Sequence, residues 1–300
     1  MIRHVRRVTA ACALGALALG LAGCGEPASS GVSGATRPTG SQENPGKSSP
    51  DSSPKASPKP KKPPKPTLAP GPGGTTPVFK RGAATKDRTV ALTFDADMTA
   101  DQGARARAGE RFDNPQLVRT LRKLKVPATV FMTGRWAEEY PTEAKDIGRD
   151  RLFEVANHSY SHYAFTGDCY GLPRVPARGM RADVDRAFGA FRKAGVEHVV
   201  PYFRFPGGCY DRAALRALTP TGVTAVQWDV VSGDAFATDA DAVTRQVLDG
   251  VRPGSVVVMH CTRSAAPTTE RVVRAVVPKL RAQGYRFVRV SDLVGATRGA

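Results

Sequence analysis

The chain has 300 residues, 41% of them hydrophobic and 24% charged, which suits one large folded domain or two small ones and excludes collagen, a coiled coil and a wholly disordered chain. Its 44 Lys and Arg against 27 Asp and Glu give a formal charge of +17. A basic excess of that size favours an anionic partner surface: nucleic acid, anionic lipid or an acidic cell-wall polymer.

Arg3, Arg6 and Arg7 precede an apolar run over residues 8–21. The run is shorter than the about 20 residues that span a bilayer core, and its layout is that of a secretory signal. It ends Leu21-Ala22-Gly23-Cys24, which resembles the lipobox of bacterial lipoproteins. The resemblance implies that residues 1–23 are a signal peptide and that Cys24 is the lipidation site, so that the mature chain is exported and lipid-anchored to the outer face of the cell membrane. Export permits disulfides. With Cys12 removed and Cys24 acylated, Cys169, Cys209 and Cys261 remain, enough for one bridge and one free thiol. Residues 24–77 are rich in Ser, Pro, Gly, Thr and Lys with almost no large apolar side chain. They are expected to form a disordered, polyproline-like tether between the anchor and a distant target.

Residues 78–300 carry 34 Lys and Arg against 24 Asp and Glu, so the folded part is itself basic. Short β-branched runs alternate there with helical patterns. A strand over 89–94 is followed by a helix start at Asp113-Asn114-Pro115, with Leu117, Leu121 and Leu124 at helical spacing. A strand over 127–132, a strand over 152–156 and a helix over 180–194 come next. A strand over 202–205, a helix over 211–218, a strand over 223–229 and a helix over 239–248 continue the series. A strand over 255–259, a helix over 269–283 and a strand over 285–290 close it. Repeated strand–helix units with buried strands predict an α/β fold with mostly parallel strands, and about seven such units argue for a barrel over an open sheet. Trp136, Tyr140, Val184, Phe188 and Phe191 read as packing residues on helices, and His198 as surface or core.

The polar residues that need explaining fall at the C-terminal ends of these strands, where a parallel barrel carries its active-site loops. Asp95 and Asp97 follow the first strand, His158 and His162 the third, Arg204 the fourth, Trp228 and Asp229 the fifth, and His260 the sixth. His158-Ser159-Tyr160-Ser161-His162 puts two imidazoles four apart, so one helical turn would present both to one ion. Asp95 and Asp97 share a face in an extended segment.

Together these residues resemble the NodB-homology polysaccharide deacetylases of carbohydrate esterase family 4, and the resemblance implies a distorted (β/α)7-type barrel. The family's TFDDG motif is approximated by Thr93-Phe94-Asp95-Ala96-Asp97, which implies Asp95 as catalytic base and Asp97, moved one place by Ala96, as a metal ligand. Its H[ST]xxH motif is matched in full, implying His158 and His162 as the other ligands. RxPYG appears as Arg204-Phe205-Pro206-Gly207-Gly208, with Arg204 orienting Asp95 and the Gly207 N–H facing the oxyanion. DxxSxDW is met from Asp229 to Asp234, with Ala235 in place of Trp, and implies Asp229 as the partner of the acid histidine. Val257-Val258-Met259-His260 implies His260 as general acid, while Trp228 lines the cleft. Cys209 and Cys261 both flank these residues, so a bridge between them bracing the pocket is one hypothesis, and Cys169 with Cys209 is its competitor.

By this resemblance the protein is a metal-dependent hydrolase, with zinc as the expected ion, that removes N-acetyl groups from a cell-envelope polysaccharide such as peptidoglycan or another N-acetylglucosamine polymer. The alternatives are an O-acetyl polysaccharide esterase and a non-catalytic glycan-binding lipoprotein. Nucleic-acid binding is the weakest reading, since no recognisable binding motif supports it, and a monomer is expected. Residues 98–111, with Arg105, Arg107 and Arg111, either rim the cleft or form a solvated loop.

Overall fold

Period-two alternation in the strands decides what the fold can do. In the computed structural model, which describes residues 67–83 and 87–298, nine strands form one sheet with every pairing parallel. They are β1 (Val78–Phe79), β2 (Thr89–Ala96), β3 (Ala128–Met132), β4 (Phe153–Asn157), β5 (Val199–Phe203), β6 (Thr224–Val226), β7 (Val230–Val231), β8 (Ser255–His260) and β9 (Arg286–Phe287). Their order is β1-β6-β5-β4-β3-β2-β8-β7, with β9 added beside β2. Among the described residues no pairing joins β7 back to β1 or β6. The barrel is therefore distorted and open on that side, a half-barrel.

Among the described residues nine helices connect and cover the strands: α1 (Gln102–Arg107), α2 (Pro115–Lys123), α3 (Gly134–Glu139), α4 (Pro141–Arg149), α5 (Met180–Ala194), α6 (Arg212–Leu218), α7 (Ala240–Gly250), α8 (Thr269–Ala282) and α9 (Val290–Arg298). The Asp113-Asn114-Pro115 start is realised in full, since Asn114 Oδ1 accepts from Leu117 N at 3.1 Å and Pro115 opens the first turn.

The strands are buried on both faces, as a parallel sheet requires. On one face Leu92, Val130, Val155 and Val257 pack under the helices. On the inner face Ala91, Phe131, Ala156, Tyr202 and Val256 meet Val290, Leu293 and Val294 of α9. This helix lies where the sequence predicts the last strand to continue through residue 290; pairing covers only Arg286 and Phe287. Its start is held from inside the sheet, because Val290 N donates to Thr129 Oγ1 and Ser291 N to Glu154 Oε1. A polar pair in the inner layer thus satisfies helix-start donors that would otherwise be orphaned.

The stretch expected to be tether up to residue 77 makes defined contacts from Leu68 onward: Leu68 N donates to Thr224 Oγ1, Thr76 N to Leu215 O, and β1 pairs with β6. The signal segment, Cys24 and the rest of the tether lie outside the described residues. Among the described residues no helix is long and apolar enough to cross a membrane.

Candidate active site

The alternation that points Ala91, Ala156 and Val256 inward carries the same parity to Asp95 on β2, Asp97 just past it, His158 past β4, Arg204 past β5 and His260 on β8. Register completes the arrangement, because Asp95 lies opposite His260 in the β2–β8 pairing. Four separate strand ends therefore deliver their polar residues to one place.

Asp95 is 4% exposed and held from two sides. Arg204 Nη1 donates to its Oδ1 at 2.6 Å, and His158 Nε2 stands 3.6 Å from its Oδ2. Arg204 is completely buried, its guanidinium carbon 3.8 Å from the centre of the Phe131 ring, and its Nε donates to Val226 O. Burial lowers its pKa from the usual value, opposed by Asp95, but arginine is so basic that it stays charged. Its Nη2 has no hydrogen-bond partner.

His158 Nδ1 lies 2.9 Å from Arg204 O. A carbonyl can only accept, so this contact places the proton on Nδ1 and leaves Nε2 as a lone pair. Burial, with the neighbouring His162, pushes the His158 pKa down to about 4 against the pull of Asp95. The ring is neutral at physiological pH. Its partner His162 is reached through a loop and not through the helical turn that the HxxxH spacing suggests. Ser159 and His162 adopt left-handed backbone, φ 70° and 55°. The loop is stitched by Ser159 N to Asn157 Oδ1, His162 N to Ser159 Oγ, and Tyr160 N to Asp183 Oδ1. The two rings still meet, with centres 5.0 Å apart.

Asp97 does reach this cluster despite its shift in the motif. Its Oδ2 stands 3.8 Å from His162 Nε2, and its Oδ1 accepts from Thr262 Oγ1 at 2.7 Å. Burial would raise its pKa, but His162, His260, the Thr262 hydroxyl and His158 outweigh that and hold the carboxyl below its ordinary range. An ionised carboxylate and two imidazoles, one with its lone pair fixed, are a suitable donor set for a divalent cation. The 3.6 and 3.8 Å separations exceed hydrogen-bond lengths. Among the described residues no three His, Cys, Asp or Glu side chains form a group that could hold an ion as they stand. The donors fit in kind, and they would have to draw together to close around an ion.

His260 faces the opposite regime. Its Nδ1 lies 2.8 Å from Asp234 Oδ1, and its backbone N donates to Asp234 Oδ2. Although burial works the other way, Asp234, helped by Asp95 and Asp97, raises the His260 pKa to about 9. With 27% of its side chain exposed, it is a protonated imidazole that a substrate can touch.

Residues 82–226 match the family model described as polysaccharide deacetylase. A chitooligosaccharide deacetylase of Azorhizobium caulinodans is 27% identical over 57% of this chain and 83% of its own length. A peptidoglycan-N-acetylglucosamine deacetylase of Bacillus cereus is 28% identical over 68% of this chain and 67% of its own. A solved peptidoglycan N-acetylglucosamine deacetylase superposes with a TM-score of 0.60 at 24% identity, covering 73% of this chain and 92% of that one. Residues 82–226 carry the polysaccharide deacetylase domain that this family model describes.

One expectation for the site is corrected by its geometry. Asp229 does not hold the acid histidine: it accepts from Ser255 Oγ at 2.8 Å and Val256 N at 2.7 Å. Because β7 runs parallel to β8 with Val230 opposite Val257, Asp229 lies at the start of β8. Opposite Val256, it is about 13 Å of strand away from His260. Asp234, further along the same chain direction, arrives beside His260, and Ser232 Oγ and Thr269 Oγ1 complete its shell. The disulfide pairing, left open between two bridges, is the competitor: Cys169 is joined to Cys209. Cys261 is a buried free thiol on the outer face of β8, opposite in parity to His260, and burial pushes its pKa up to about 12.

The remaining site residues of the deacetylase are located as follows. Trp228 is half-buried, 5.3 Å from the Arg204 guanidinium carbon. Gly207 has φ 63°, and a Cβ there would meet Cys169 Sγ at 2.6 Å, so the disulfide fills the space a larger residue would need. Thr262 and Thr269 are functional neighbours absent from the sequence reading, and Asp234 and Ser232 were given no role there. Both of the latter carried a signal, being letters of the quoted DxxSxDW motif. Trp136 and Tyr140 are structural, with Trp136 Nε1 donating to Phe112 O. In the segment 98–111, Arg105 pairs with Glu110 and Arg111 with Asp113, while Arg107 lines a cavity of about 350 Å³ with Arg135, Glu138 and Glu139.

Proposed function

We propose that the protein removes N-acetyl groups from an N-acetylglucosamine-containing polysaccharide of the cell envelope, peptidoglycan being the expected substrate. The observation that carries this reading is one pair of histidines split by environment around Asp95. His158 is neutral with its Nε2 lone pair exposed to the pocket, and His260 is protonated by its contact with Asp234.

Amide hydrolysis needs a deprotonated water, a stabilised oxyanion and a protonated leaving amine. Asp95, fixed by Arg204, takes the water's proton. The Gly207 N–H faces the oxyanion. His260 gives its proton to the departing sugar nitrogen, and Asp234 offsets the charge that His260 carries beforehand. The products are acetate and a free amine. A divalent cation, with zinc as the expected ion, would be held by Asp97, His158 and His162; when bound, such an ion polarises the acetyl carbonyl and acidifies water. Cys24, by its lipobox-like context, would anchor the chain to the outer face of the membrane, with the Pro-rich segment as spacer.

The test is acetate release from N-acetylglucosamine oligomers and from peptidoglycan, with the metal-stripped protein and after added zinc. Zinc-dependent release that Asp95→Asn abolishes is the expected result. Absence of release from both substrates by zinc-loaded protein overturns it, and release from acetylated xylan alone would reassign the chain to ester cleavage.

A further inference from the structure

Two aromatic rings stand almost wholly in water: Tyr170 is 87% exposed and Phe236 84%. Both lie on left-handed backbone, φ 52° and 59°. Bulky side chains rarely adopt that region. Each occupies the centre of a tight turn, closed by Leu172 N donating to Cys169 O at 3.0 Å and by Ala237 N donating to Asp234 O at 3.1 Å. Such positions ordinarily carry Gly, Asn or Asp. At both places the fold therefore bears backbone strain and exposed apolar surface with no packing in return. Strain of this kind gathers where a ligand is contacted.

Both turns adjoin the catalytic cluster. The disulfide ties the Tyr170 turn to Cys209, just past Arg204. A Cβ on Gly207 would lie 3.1 Å from Tyr170 Cδ2, and one on Gly208 would lie 2.5 Å from Trp228 Cη2. Tyr170, the bare Gly207-Gly208 backbone and Trp228 thus form one continuous shelf beside Arg204. On the other side Phe236 is two residues past Asp234, so their Cα atoms are within about 7 Å. Its backbone is fixed by Phe236 N donating to Ala265 O at 2.6 Å. The Tyr170 turn follows β4 and the Phe236 turn follows β7. In the sheet order β4-β3-β2-β8-β7, the strand bearing Asp95 lies midway between them.

We propose that Tyr170 and Phe236 are sugar platforms, each stacking on a pyranose ring of the glycan chain on opposite sides of the sugar that loses its acetyl group. A pyranose ring offers an apolar C–H face with hydroxyls at its edge, which suits an aromatic face in water. Two separated rings flanking one reactive centre fit a chain molecule that passes across it. The proposal deepens the deacetylase reading and rests on it.

The experiment measures KM and kcat of the full chain for N-acetylglucosamine oligomers from the dimer to the hexamer, with Tyr170→Ala, Phe236→Ala, Tyr170→Phe and Tyr170→Gly beside the wild type. For the longer oligomers each alanine variant raises KM roughly 5-fold, as expected for loss of one aromatic contact. For the dimer kcat is unchanged. Tyr170→Phe keeps the wild-type KM, and Tyr170→Gly, which relieves the left-handed strain, loses the contact without lowering the melting temperature. A KM that is the same in both alanine variants and the wild type across the whole series overturns the proposal. If the wild type releases no acetate at all, the deacetylase reading fails separately. Retention on insoluble peptidoglycan then decides the platforms: weaker retention of the alanine variants supports them, and equal retention overturns them.

Discussion

His158 and His260 are the same side chain shifted in opposite directions, to about 4 and about 9, by what touches Nδ1 and by how deeply each is buried. Opposed shifts within one pocket separate a neutral donor from a charged acid. Since His260 must be protonated to serve as acid, activity should hold as pH rises and fall as pH passes through about 9. Asp234→Asn keeps the shape but removes the charge, so the alkaline limb of kcat/KM should move at least one unit lower and kcat should drop roughly 100-fold. Asp229→Asn should leave the limb in place. A limb that stays put in Asp234→Asn would remove Asp234 from the acid's machinery. The same pairing stabilises the fold: with a folded pKa above the unfolded value of 6.5, its contribution is complete below that pH and is lost as pH rises through about 9. Thr262 supplies a second residue-scale test, because it holds one oxygen of Asp97 while the other faces His162. Thr262→Val should weaken zinc binding roughly 10-fold in a calorimetric titration of the metal-free protein, and unchanged affinity would show that Asp97 needs no such support. Asp95, His158 and His260 were legible in the sequence because strand ends in a parallel sheet all face one rim. Choosing between Asp229 and Asp234 required the β7–β8 register, which no spacing encodes.

At the scale of elements the same limit recurs. Strand–helix alternation was readable from β-branched runs and capping residues, whereas α9 was masked by Val288 and Val290, whose β-branched side chains read as strand. The cysteines show why pairing is not legible: the choice depends on which face of β8 Cys261 occupies, and one residue of parity turns it away from His260 into the helix layer. The Cys169–Cys209 bridge closes a loop of 40 residues around α5. By chain entropy such a closure is worth about 4 kcal/mol, an upper figure since engineered and native bridges often deliver less. Cys169→Ser with Cys209→Ser should therefore lower the melting temperature by many degrees. Thiol titration of the native protein should find Cys261 unreactive until denaturant is added, because its burial keeps it a thiol. A native Cys261 that reacts at once would contradict the packing of β8 against its helices.

On the scale of the whole molecule, the basic charge and the export proposed from the lipobox-like segment point to one kind of target. The formal charge of +17 is spread along the sequence, and within residues 78–300 basic side chains still exceed acidic ones by 34 to 24. Surface arginines such as Arg105, Arg111, Arg122 and Arg149 are each paired with a carboxylate and so do not form one bare cationic patch. The excess therefore acts as a long-range field and not as a single binding cleft. Fields are screened: the Debye length falls from about 8 Å at physiological salt to about 3 Å at 1 M. An anionic envelope polymer and a neutral N-acetylglucosamine oligomer present the same acetamide to Asp95 and His260 but differ in how they are gathered to it. Raising salt should increase KM for the polymer several-fold with kcat unchanged, while leaving both constants for the neutral oligomer where they were. Equal salt dependence for the two substrates would mean that the basic surface serves something other than substrate capture, and would separate the charge of this molecule from its chemistry.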